Sequence, residues 1–141
     1  MGGFSDTERA AMQQRAAELR ATKGVKGAQK KAQEFEACLT AIDALQGTDR
    51  EVAERLHMIV SEEAPHLDAK TWYGFPTYAK DGKTIVFYQP GSKFGTRYGS
   101  VGFQEDAALD EGDIWPVAFA VTAMTPEVES RLRVLVKKAA Q

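Results

Sequence analysis

The sequence predicts an α+β domain, with a single antiparallel sheet of about four to five strands covered by helices. Three observations carry that expectation. Apolar residues recur at helical spacing through the N-terminal part of the chain and again near its end. The middle is rich in aromatic and β-branched residues. Within it, Asp81-Gly82 separates two such stretches, and that dipeptide accepts the positive φ angles of a tight hairpin turn.

Ser5-Asp6-Thr7-Glu8 forms a capping box that predicts a helix to about Ala21, with a thin inner face of Met12, Ala16 and Leu19. Arg20, Lys23, Lys26, Lys30 and Lys31, interrupted by Gly24 and Gly27, read as a solvated hinge. A second helix is expected from about Lys31 to Leu45, because Phe35, Cys38, Leu39, Ile42 and Leu45 share one face. Gly47 ends it. Thr48-Asp49-Arg50-Glu51 is a second capping box, followed by the stripe Val52, Leu56, Ile59 and Val60, which Pro65 closes.

Residues 72–80 and 83–89 are the expected hairpin strands. Pro76 lacks an N–H, so the first strand is expected at an edge or starting near Phe75. A third strand is expected within residues 94–103 and a fourth over 115–121, with Val117, Phe119 and Val121 on one face. Thr125-Pro126 supplies an N-cap and a first-turn proline. Val128, Leu132, Leu135, Val136 and Ala139 then form the stripe of the last helix. Leu56, Ile59, Phe87, Phe119, Leu132 and Leu135 are expected to be buried together under the sheet. The whole chain is one domain, with residues 1–48 a helical extension carrying the Lys-rich hinge and 49–141 the α+β core.

Net charge is −2 and both halves are balanced, so no basic face for nucleic acid is expected. No apolar run approaches the length that crosses a bilayer, and no secretory signal is visible, so the expected compartment is the cytoplasm without membrane contact. A single cysteine allows no internal disulfide.

Trp72-Tyr73-Gly74-Phe75-Pro76, a following hairpin with an aromatic second strand, and then Lys93-Phe94 resemble the YdhG-like domain of unknown function. Ala64-Pro65-His66-Leu67, Lys70-Thr71-Trp72 and the Trp115-Pro116 to Phe119 stretch look closest to one bacterial branch of it. The resemblance covers residues 49–140. Some relatives carry an iron-chaperone label and are compared with frataxin, which implies iron as an alternative cargo. No iron-ligand motif matches this chain residue by residue.

Zinc chemistry is not expected from one cysteine and two histidines. His57 lies off its apolar stripe and reads as a surface residue, and His66 as part of a solvated helix end. The glycines at 91, 95, 99 and 102 do not form a phosphate loop and read as sites of bulges or close strand packing. Cys38 reads as core. Glu105, Asp106, Asp110, Glu111 and Asp113 are the oxygen-rich run that could meet a hard cation, so Asp106, Asp110, Glu111 and Asp113 are the candidate metal ligands.

One feature exceeds background: every aromatic except Phe4 and Phe35 falls between Trp72 and Phe119. Trp72, Tyr73, Tyr88 and Trp115 are therefore candidate walls of a ligand groove, with Lys93 and Arg97 as cations on one extended segment. The expected function is a non-catalytic module that binds a small molecule or a peptide on this aromatic strand surface, with no cofactor assigned. Iron handling through acidic residues is the second reading and an enzyme of unknown reaction the third. A homodimer through an edge strand or the first helix is a further expectation.

Overall fold

The computed structural model describes residues 6–22 and 27–141. Its helices α1 (Asp6–Thr22), α2 (Gly27–Asp43) and α3 (Gly47–Glu63) precede three strands, β1 (Asp68–Trp72), β2 (Phe75–Lys80) and β3 (Lys83–Gln89). A short helix α4 (Gly91–Phe94) leads to β4 (Gly99–Phe103), β5 (Ala118–Val121) and the last helix, α5 (Pro126–Ala139). The five strands form one antiparallel sheet in the order β1-β2-β3-β4-β5. The α+β expectation holds.

Two hairpin turns of the same kind open the sheet. Asp81 and Gly82 have φ of 52° and 81°, and Tyr73 and Gly74 have φ of 54° and 84°. Positive φ at both central residues matches the twist of the flanking strands. The first of these turns was expected. The second divides the stretch 72–80 and adds β1, a strand the sequence reading did not contain. Tyrosine is strained at positive φ, so it gives no turn signal in the sequence.

Pro76 lies in an interior strand and not at an edge. It is accommodated because the β2–β3 ladder begins one residue later, at Thr77↔Phe87. The start of this strand at Phe75 agrees with the sequence. The fourth strand is shorter than expected, and Val117 is exposed outside it.

Side chains alternate along each strand, so register assigns the two faces. Tyr78, Val86, Tyr88, Val101, Phe103 and Val121 join Cys38, Leu56, Ile59, Leu132 and Val136 in the helix-covered core. Phe119 and Leu135 pack on that core partly buried. Phe87 does not belong to it. Val86 and Tyr88 face the helices, so Phe87 points to the opposite face, against Trp72 and Phe75.

The N-terminal helix touches α2, β1 and α4. Its inner face differs from the expectation: Ala11 is buried, whereas Met12 and Leu19 are exposed. Ser5, Lys23 and Lys26 lie outside the described residues; Arg20 belongs to α1, and Lys30 and Lys31 to α2. The second capping box does not form. Gln46 is the N-cap, without a side-chain bond, and Asp49 turns away toward α4. At α5 the Thr125 hydroxyl accepts the Val128 N–H at 3.2 Å, as expected.

Candidate functional site

Asp49, in the first turn of α3, is the organising residue of the α4 region. Its carboxylate accepts the Tyr88 hydroxyl at 2.6 Å, the Gly91 N–H at 3.1 Å and the Ser92 N–H at 3.0 Å, together with the Ser92 hydroxyl. Partial burial pushes this carboxyl up, but the four hydrogen bonds outweigh it and hold it below its ordinary value. The same arrangement, burial first and the Asp49 bond second, raises the Tyr88 phenol. Asp49 therefore stays ionised and fixes α4 against α3.

On the other side of α4, the Tyr73-Gly74 turn is clasped from two directions. Glu18 of α1 accepts the Gly74 N–H at 2.9 Å, and its carboxylate also faces Arg15 at 3.3 Å. The Lys93 side chain lies where a Gly74 β-carbon would stand. Gly74 is thus required twice, for its positive φ and for the passage of Lys93.

Between α1, α2 and this turn lies a cleft of about 660 Å³. Alanines 17, 37, 41 and 44 with Leu45 form its apolar lining, and Gln14, Thr40, Ser92 and Lys93 contribute polar groups. Volumes of roughly 300–1,000 Å³, apolar walls and a few placed polar groups are usual for small-molecule sites. Glu18 is engaged by Gly74 and Arg15, whereas Lys93 forms no ion pair among the described residues.

The six residues expected to line one groove fall in different places. Trp72 and Tyr73 belong to an aromatic group with Phe75, Phe87 and Phe94 on the sheet face away from the core. Tyr88 is fully buried under the helices, and Trp115 packs half-buried on the same core. Lys93 is exposed on α4 and lines the cleft. Arg97 follows in a bend, with its guanidinium 5.0 Å from the Tyr98 ring centroid. The segment carrying these cations is helix and turn rather than extended strand, because Gly95 takes the left-handed conformation that ends α4.

The acidic run is spread out. Asp106 faces Lys83 at 4.0 Å and Glu111 faces Lys138 at 3.8 Å, while Asp110 and Asp113 are exposed. Among the described residues, no three His, Cys, Asp or Glu side chains converge on a common point.

His57 is not a surface residue. It is half-buried, with Nδ1 2.9 Å from the Tyr78 hydroxyl oxygen and its ring 5.8 Å from that of Phe35. The Cys38 thiol donates to the same hydroxyl at 3.9 Å. All three groups are satisfied when Tyr78 donates to Nδ1 and the imidazole proton sits on Nε2. Burial lowers the His57 pKa, which favours this neutral form. His66 has a structural partner as well, with Nε2 2.8 Å from the Ala140 carbonyl oxygen.

The sequence reading missed Glu18, Asp49 and Ser92. Glu18 and Ser92 stand in no motif, and Asp49 was hidden by its place in an apparent capping box. Among the described residues no helix is long and apolar enough to cross a membrane. Searches against protein-family models, curated proteins and solved structures found no match to this chain.

Proposed function

We propose that the chain is a non-catalytic binding module for a small anionic molecule, held in the cleft between α1, α2 and the Tyr73-Gly74 turn. The observation that carries this reading is the pairing state of the cleft's charges. Its carboxylate, Glu18, is engaged by Arg15 and an amide, whereas its cation, Lys93, has no acidic partner among the described residues. An anion entering the cleft would meet an available ammonium beside apolar walls. Charge-assisted hydrogen bonds of this kind are the strong ones. Membership of the YdhG-like family belongs to the same proposal. It rests on the Trp72-Tyr73-Gly74-Phe75-Pro76 run, whose Gly74 lines the cleft.

A thermal-shift screen of small carboxylates and phosphates tests the reading, since a ligand that binds only the native state raises its melting temperature. At least one such anion should raise Tm, and Lys93→Ala should remove the rise. The unliganded variant should keep its stability to within about 0.5 kcal/mol, as exposed substitutions do. A screen with no positive anion, or a shift that survives Lys93→Ala, would overturn the proposal.

A further inference from the structure

Ser92 stands on the wall of two cavities. One is the cleft that holds Lys93, and the other is a pocket of about 240 Å³ beside Arg97. The second pocket is polar. Thr48 and Thr122 line it with Arg97, and among the described residues none of the three has an ion pair or side-chain hydrogen bond to another group. Asp49 also borders it with an ionised carboxylate, whose acceptor sites are taken by Tyr88, Gly91 and Ser92. The pocket therefore offers an unpaired guanidinium and two free hydroxyls, a set that seeks acceptors. Each cavity presents a cation without an acidic partner among the described residues, and the exposed Ser92 is the saddle between them.

We infer that the ligand of the Lys93 cleft is an elongated dicarboxylate, with one carboxylate on Lys93 and the other across Ser92 on Arg97. The inference rests on the binding reading given above. Lys93 and Arg97 are four residues apart, so their Cα atoms cannot be separated by more than about 14 Å. The turn of α4 and the left-handed Gly95 shorten that span. Each side chain adds its own reach to the distance between the charged ends, so the diacid chain length is left to the titration. A guanidinium suits the far end because it takes a carboxylate through two parallel N–H donors.

Isothermal titration of the full chain with diacids from succinate to sebacate, each beside its monoacid of equal length, tests the inference. At least one diacid should bind about tenfold more tightly than its monoacid, the gain expected from one further charged hydrogen bond. Arg97→Ala should lower that diacid to the level of the monoacid and leave the monoacid unchanged. Arg131→Ala, which removes a cation that lies over Phe119, should alter neither. Equal affinity for both classes, or a diacid advantage that survives Arg97→Ala, would overturn the dicarboxylate while leaving a Lys93-dependent cleft. Binding of neither class, or binding indifferent to Lys93→Ala, would remove the cleft reading and this inference together. Melting curves of the unliganded variants separate a lost contact from a lost fold.

Discussion

Tyr88 donates its hydroxyl proton to Asp49 across 2.6 Å, and this bond links the interior strand β3 to the first turn of α3. The phenol runs beside Gly99, where a β-carbon would meet the hydroxyl oxygen. One buried ring thereby joins sheet, helix and the α4 region that separates the two cavities.

Removing the hydroxyl with Tyr88→Phe deletes a charge-assisted bond and leaves the ring in place. Stability should fall by about 1.5–3 kcal/mol, the usual worth of a hydrogen bond to a charged group. Asp49→Ala should cost more, because it also strands the Gly91 and Ser92 amides. Urea denaturation checks both variants. A Tyr88→Phe midpoint equal to that of the parent protein would mean that the bond adds nothing.

Two groups set the pH dependence in separate windows. Burial holds the His57 pKa below its ordinary 6.5 in the folded chain. The unfolded chain therefore takes up the proton first as pH falls past that value, and stability declines from there downward. Asp49 is held below its ordinary 3.8, so its contribution is present above that value and is lost as pH falls through the folded pKa. His57→Gln should flatten the upper slope and spare the acid limb, whereas Asp49→Asn should do the reverse. Urea midpoints measured at a series of pH values give both slopes. Identical slopes in all three proteins would refute the assignment.

Gly99 and Gly102 carry two aromatic rings of β3, Tyr88 on the core face and Phe87 on the other. A methyl group at either position enters the space of that ring. Gly99→Ala and Gly102→Ala should each cost about 1–3 kcal/mol, as overpacking does. Gly82→Ala is strained by its positive φ, yet it meets no atom within 4 Å. It should therefore leave the Tyr88 environment unchanged. Tyrosine fluorescence and near-ultraviolet circular dichroism should change in Gly99→Ala and not in Gly82→Ala.

Cys38 is fully buried, and that burial pushes its thiol up to about 11. The thiolate is the reactive form, so the native protein should resist thiol reagents at neutral pH. Labelling should proceed at the rate of global unfolding and accelerate in urea along with it. Rapid stoichiometric labelling without denaturant would place the thiol at the surface.

Local chemistry was enough for much of this fold. Helical spacing located α3 and α5, and Thr125-Pro126 marked the start of α5 through a cap and a fixed φ. Asp81-Gly82 announced its turn because both residues accept positive φ at little cost. Tyr73-Gly74 makes the same turn against the preference of tyrosine, so β1 was invisible until strand pairing and the Glu18 bond to Gly74 held it in place.

The candidate site was less legible. Sequence supplied the aromatic excess and the two cations, but which face of the sheet each ring occupies depends on register. A bulge between β2 and β3 and the packing of three helices decide that register. Tyr88 and Trp115 were drawn into the core, Trp72 and Tyr73 to the far face, and α4 turned Lys93 and Arg97 toward different cavities. By itself the sequence determined the fold class, most of the elements and the helical core stripes, because those depend on neighbours within one or two turns of chain. Only the tertiary structure decided what Lys93 faces, what Asp49 holds and which charges remain unpaired, because those depend on groups some 40 to 56 residues apart meeting within hydrogen-bond distance.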